Sequence, residues 1–115
     1  MILSAIVLIG IAALVGLMII FIGVRYRKGY LALGLGHAGL ASTGLIVLVV
    51  AILRAPNHHL LYNNAALLFV LTLLGGLVLL ALREGRKPPP LIVVSIHAAM
   101  AVFALYLLVK GYFLY

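Results

Sequence analysis

Residues 31–53, LALGLGHAGLASTGLIVLVVAIL, decide the fold of this chain. The stretch is an unbroken apolar run without a charged residue. At about 1.5 Å of rise per residue it is long enough, as a helix, to cross a hydrocarbon core of about 30 Å. Three further apolar runs of similar length lie at about residues 2–24, 60–82 and 91–112. The sequence therefore predicts an all-α integral membrane protein, with one transmembrane domain over residues 1–115.

The composition of the chain points to lipid as its surroundings. Of the 115 residues, 68% are hydrophobic and 8% are charged, and a soluble domain of this length cannot bury so much apolar surface. The eight Lys and Arg residues, against the single acid Glu84, lie mainly in short clusters between the apolar runs. Such clusters set the orientation of a membrane protein. We therefore expect the lipid bilayer as a partner, and no nucleic acid.

Short connections between the apolar runs make consecutive helices antiparallel neighbours, which predicts an up-down-up-down four-helix bundle. The first and third connections hold six of the eight basic residues, namely Arg25, Arg27, Lys28, Arg83, Arg86 and Lys87. The positive-inside rule then places these two loops in the cytoplasm and both termini outside. This topology is that of a multi-pass protein of an inner (cytoplasmic) membrane.

Two histidines, His37 and His97, lie well inside the apolar runs. An ionisable residue inside a membrane span is costly, and its presence suggests a functional site. Each histidine is the seventh residue of its predicted helix, and both helices start at the cytoplasmic face, so each lies about 9 Å into the bilayer. Because the second and fourth helices are diagonal partners in such a bundle, the two imidazoles are expected to face each other across its centre.

The chemistry around the two histidines favours haem over a bare metal ion. Zinc or copper sites use three or four protein ligands, and no Cys, Asp or Glu lies at this depth. Haem iron needs only two axial nitrogens, so the sequence predicts one haem b with His37 and His97 as metal ligands. Small residues at the same depth are expected to make room for the macrocycle: Gly34, Ala41, Gly44, Gly75, Gly76 and Ala101. Plain helix packing through small residues, and histidines that bond across helices, remain alternative interpretations.

The segments Gly34–Gly39 (GLGHAG) and Ser95–Ala99 (SIHAA), set in four membrane helices, resemble small four-helix b-type cytochromes of bacterial membranes. The resemblance implies an electron carrier or a small subunit of a respiratory complex, rather than a stand-alone enzyme. It also implies a quinol or a redox protein as partner, and membership of a larger membrane complex or a homodimer. The commoner pattern has two haems and four membrane histidines, whereas this chain has one pair.

Other functions stay open at the level of sequence. Each histidine is also suited to ligate one magnesium chlorin, and a cofactor-free accessory subunit would use both histidines for bonds between helices. A transporter or channel is the least expected function, because the membrane segments show no acidic residue, no pair of broken helices and no long repeat. His58 and His59, in the second loop, are interpreted as solvated residues, with a surface metal or a quinol contact as the alternative.

Overall fold

A computed structural model describes residues 1–55, 57, 59–83 and 87–115. Within these residues the chain forms four α-helices: α1 (Ile2–Tyr26), α2 (Leu31–Arg54), α3 (Leu60–Leu82) and α4 (Leu91–Leu114). Each helix is long and apolar enough to cross a membrane. The predicted all-α membrane bundle is confirmed. Helix α1 continues two residues beyond its predicted end, and α2 one residue beyond.

The chain reverses direction between helices through local backbone features. Helix α1 ends where Arg27 adopts a left-handed conformation, with φ 54° and ψ 38°, which satisfies the geometry of a helix C-terminus but is rare for a residue other than glycine. Pro88–Pro90 precede α4, and proline is tolerated at a helix start because the first N–H groups have no intrahelical partner. The carbonyl of Pro90 accepts the first backbone hydrogen bond of α4, from Val94.

The four helices pack as two hairpins. Helix α1 packs closely on α2, and α3 packs closely on α4, while the α2–α3 and α1–α4 contacts are sparser. Among the described helices, the backbones of α1 and α3 and those of α2 and α4 do not approach each other closely, so these pairs lie on the diagonals of the bundle. The histidine-bearing helices α2 and α4 are therefore diagonal partners, as the short loops predicted.

The two hairpins repeat each other at an interval of 60 residues, a relation that the sequence analysis did not detect. The same positions are buried in both hairpins: Ala5 and Ala65, Ile9 and Phe69, Ala12 and Thr72, Gly44 and Ala104, Leu48 and Leu108. Since α1 and α3 run in the same direction, an approximate two-fold axis along the bundle relates the hairpins. The expectation that the chain has no long repeat was wrong. The two hairpins agree in which positions are buried more than in which residues occupy those positions.

The tightly packed core occupies only one half of the bundle. Every fully buried residue of the described chain lies within residues 5–12, 44–51, 62–72 and 104–111, which form the half nearer the termini and the second loop. In the other half, which begins at the layer of His37 and His97, the side chains that face the bundle axis are half-buried. The two hairpins are thus held together mainly at the end that carries the termini and the second loop.

Helix α1 approaches α2 closely at Gly44, within this core. A Cβ atom added at Gly44 would lie 2.6 Å from Cγ1 of Ile9. We expect Gly44→Ala to lower the free energy of unfolding in detergent by about 1–3 kcal/mol, because overpacking a tight contact displaces side chains or backbone. Gly39→Ala, on the same helix with no atom within 4 Å of the added Cβ, is the matched control and should unfold like the wild type. Equal stability of the two variants would contradict this packing.

Candidate cofactor site

His37 and His97 meet in the interior of the bundle. Each is the seventh residue of its helix, each is half-buried, and their ring centres are 6.2 Å apart with the ring planes at 75°. Matched depth on two diagonal helices thus places the rings side by side near the approximate two-fold axis. The structure brings together the two residues that the sequence singled out.

The ring of His37 is held by helix α1. Its Nδ1 atom lies 2.7 Å from the backbone carbonyl oxygen of Ala12. Because a carbonyl oxygen only accepts, Nδ1 carries the proton and donates it, which leaves the lone pair of a neutral imidazole on Nε2. One turn along α1, Gly16 lets the ring approach, since a Cβ there would lie 2.9 Å from Cε1 of His37. Helix α1 therefore fixes both the position and the tautomer of this histidine.

The ring of His97 occupies the equivalent position in the second hairpin. A Cβ atom at Gly76 would lie 3.2 Å from Cε1 of His97, and one at Gly75 would lie 3.5 Å from Nδ1. Thr72 in α3 is the counterpart of Ala12 in α1. No described group, however, meets hydrogen-bond geometry with the buried Nδ1 atom of His97. Each hairpin thus contributes one histidine that packs against glycine. The two hairpins differ in that Nδ1 has a hydrogen bond in His37 and none in His97 within the described residues.

The remaining residues of the predicted pocket lie at different levels. Gly34 is one turn from His37 toward the first loop and contacts α3, where its added Cβ would lie 3.4 Å from Cδ2 of Leu80. Ala41 and Ala101 are half-buried, one turn beyond the histidines toward the second loop. Gly44 is two turns beyond His37 and belongs to the tight core against Ile9. A role for these four residues in holding a cofactor stays a prediction.

The acceptor that orients His37 is one that the sequence does not signal. Two hydroxyl groups close to the histidines in the sequence bond to their own helices, Thr43 to the carbonyl of Gly39 and Ser95 to that of Leu91, each at 2.8 Å. The observed partner is instead a backbone carbonyl on another helix. Only Gly16, as a small residue at the right depth, indicated that α1 approaches the site.

His59 is not the solvated loop residue that the sequence suggested. It is half-buried, and its ring stacks on Tyr115 with 3.9 Å between ring centres and 20° between planes. Tyr115 comes eighteen positions after His97 in the sequence. Along a helix this interval corresponds to about 27 Å. This aromatic contact is therefore distinct from the histidine pair. His58 lies outside the described residues.

The separation of the two rings can be compared with that of two imidazoles on one metal ion. Two imidazole nitrogens bonded to one metal ion at about 2.0 Å each, with ring centres about 1 Å behind them, place those centres about 6 Å apart. The observed separation is 6.2 Å. Within the described residues no group of three or more His, Cys, Asp or Glu side chains converges.

The packing of the bundle changes at the level of the pair. The pair lies where the tight core ends and the axis-facing side chains become half-buried. It also lies between the two hairpins, whose mutual contacts are sparser than those within each hairpin. A planar group between the rings would lie in this seam rather than between the closely packed helices of one hairpin.

Comparison with known protein families, with curated proteins and with solved structures gives no match to this chain. The function of the protein is therefore inferred from the residues of the site and their geometry.

Gly16 provides a direct test of how His37 is held. We expect Gly16→Ala to displace the ring and break its hydrogen bond to Ala12, because the new methyl group would lie 2.9 Å from Cε1. The loss should be about 1 kcal/mol of stability, the usual net contribution of such a bond. ¹⁵N NMR of the histidine side chains should show a protonated Nδ1 for His37 in the wild type and a changed tautomer in the variant. Gly36→Ala, beside His37 but with open space around the added Cβ, should leave the spectrum unchanged. Identical spectra for Gly16→Ala and wild type would contradict the structure.

Proposed function

We propose that this protein is a membrane b-type cytochrome that carries electrons through one haem, with His37 and His97 as the axial ligands. The observation that carries the proposal is the meeting of two imidazoles at one depth inside the bundle, with ring centres 6.2 Å apart. No other described side chains at this level offer a metal ligand set. When bound, the haem supplies reversible one-electron oxidation and reduction at its iron.

The protein's own groups have defined tasks in this proposal. The Ala12 carbonyl accepts the Nδ1 proton of His37, which directs Nε2 of that ring to the metal and raises its basicity as a ligand. Gly16 and Gly76 give the two rings room to lie between helices. With both histidines holding it, the haem would supply electron transfer rather than oxygen or substrate chemistry at iron.

The depth of the pair limits where electrons are exchanged. His37 and His97 lie about 9 Å, six residues of helix rise, from the ends of α2 and α4 that border the first and third loops. In the orientation proposed from the loop charges, this is the cytoplasmic side of a bacterial inner membrane. A redox protein or a quinol would then exchange electrons at that face, and transfer across the whole membrane would require a partner, such as other subunits of a larger complex or a second copy.

Binding of one magnesium chlorin to each histidine is harder to reconcile with the site. Two chlorins would each need a metal on the free nitrogen of its own imidazole, and the rings are only 6.2 Å apart. Each ring also packs on the helix of its own hairpin, with its Cε1 atom close to Gly16 or to Gly76. One shared metal between the rings uses this geometry, whereas two separate pigments do not.

A cofactor-free accessory subunit is the second candidate, and one observation favours it. Rings at 75° with centres 6.2 Å apart also satisfy the edge-to-face arrangement that aromatic pairs adopt in direct contact. In that case the histidines would stabilise the seam between the hairpins without a ligand. The two candidates differ in one observable property, the absorption of the purified protein.

Replacement of the histidines tests the proposed function. Protein purified from haem-replete cells should contain about one haem per chain and show a reduced-minus-oxidised spectrum of a low-spin bis-histidine haem. His37→Ala and His97→Ala should each abolish that spectrum, because each removes one of two axial ligands. His59→Ala is the matched control and should keep the full spectrum, because His59 stacks on Tyr115 and lies away from the histidine pair.

Two results would overturn the proposal. A colourless but folded wild-type protein from haem-replete cells would favour the cofactor-free subunit. Full haem content with an unchanged spectrum in both single-histidine variants would show that any bound haem uses other ligands.

A further inference from the structure

A groove opens at the loop end of the first hairpin. It has a volume of about 270 Å³ and is lined by Ile22, Tyr26, Lys28 and Tyr30. Ile22 lies one turn of α1 deeper than Tyr26, and the two tyrosine rings are largely exposed. Over this short distance the lining changes from an apolar side chain to amphipathic rings and then to an ammonium group. This order matches the order of hydrocarbon, interface and headgroup in one leaflet of a bilayer.

Specific contacts fix the loop that forms the groove. Arg27, in its left-handed conformation, turns the chain so that Lys28 and Tyr30 lie beside the last turn of α1. The guanidinium of Arg83 donates a hydrogen bond of 3.2 Å to the carbonyl oxygen of Gly29. A Cβ atom at Gly29 would lie 3.4 Å from the carbonyl oxygen of Lys87, so the third loop packs against the first. The groove is therefore part of the folded structure at this end.

The groove interrupts the repeat between the two hairpins. Residues 27–30 read Arg-Lys-Gly-Tyr, whereas the corresponding residues 87–90 read Lys-Pro-Pro-Pro. A tyrosine and a lysine of the first loop are thus replaced by prolines in the second hairpin, which still forms its two helices. Formation of a hairpin in this fold does not require Lys28 or Tyr30. Their presence needs a reason other than the hairpin itself.

The charges described at the groove are positive. Lys28 contributes an ammonium group, and Arg25 stacks its guanidinium over the ring of Tyr26 with 5.5 Å to the ring centre. Glu84, the only acid in the sequence, lies outside the described residues, and no acidic side chain is among the described residues that line the groove. A ligand here would meet a cation, two phenol hydroxyl groups and an apolar floor, which together suit a phosphate group attached to an acyl chain.

We propose that this groove binds the headgroup of an anionic phospholipid, with the phosphate near Lys28 and an acyl chain along Ile22. Basic sites at the cytoplasmic end of membrane helices recognise such headgroups, and anionic lipids are abundant in that leaflet. In the orientation proposed from the loop charges, the groove lies on this side. The proposal stands apart from the haem site, because none of the residues that line the groove contacts either histidine.

A comparison of two lysine variants tests the proposal. The full-length protein in a neutral detergent is titrated with short-chain phosphatidylglycerol, and bound lipid is counted by native mass spectrometry. Lys28→Gln should weaken binding about five-fold, which is the effect of one basic residue near a lipid headgroup. Lys87→Gln is the matched control, because Lys87 is an exposed basic loop residue at the same end that does not line the groove. This variant should bind like the wild type.

Three outcomes would overturn the proposal. An equal loss in Lys28→Gln and Lys87→Gln would show general attraction to a positive surface. Binding of phosphatidylcholine with the same chains as tightly as phosphatidylglycerol would show that the negative charge is not recognised. Displacement of the lipid by millimolar inorganic phosphate would show a phosphate site rather than a lipid site.

Discussion

Close approach of the two helices within each hairpin is the constraint on which this structure depends. Lipid is as apolar as leucine, so membrane helices associate through van der Waals packing at small residues more than through a hydrophobic force. In the half nearer the termini, Gly44 and Gly111 accept the side chains of Ile9 and Tyr62. In the half nearer the first and third loops, Gly16 and Gly76 accept the imidazoles of the pair. The same local feature thus gives packing at one end and a site at the other.

The polar atoms of the imidazoles explain why this arrangement is specific. A polar group inside hydrocarbon is costly unless it finds a partner, and the carbonyl of Ala12 satisfies Nδ1 of His37. The corresponding atom of His97 is buried without a hydrogen bond in the described structure. Two such groups, placed together at the edge of the tight core, are difficult to explain by stability alone. Helices held by leucine and alanine would pack here without the cost of two histidines.

The sequence was sufficient for the topology and for the pairing of the histidines. Hydropathy and the rise per residue predicted four helices, and the equal positions of His37 and His97 within α2 and α4 predicted a common depth. The sequence did not reveal the repeat between the hairpins. Equivalent buried positions hold different apolar residues, such as Ile9 and Phe69, and equivalent lipid-facing positions differ more often. The sequence also could not single out the carbonyl of Ala12 as the acceptor for His37, since a backbone acceptor is present at every residue. The prediction that His59 is solvated was wrong because its contact with Tyr115 depends on where the C-terminal end of α4 lies.

The approximate two-fold symmetry separates what both hairpins share from what one hairpin adds. Positions that hold the fold and the candidate site recur at an interval of 60 residues, including the pairs Gly16 and Gly76 and His37 and His97. The proposed haem, bound on this axis, would meet similar surroundings on its two faces. Lys28 and Tyr30 of the groove correspond instead to Pro88 and Pro90, so the proposed lipid would distinguish the first hairpin from the second. The proposed haem would thus be held jointly by both hairpins, and the proposed lipid by one of them.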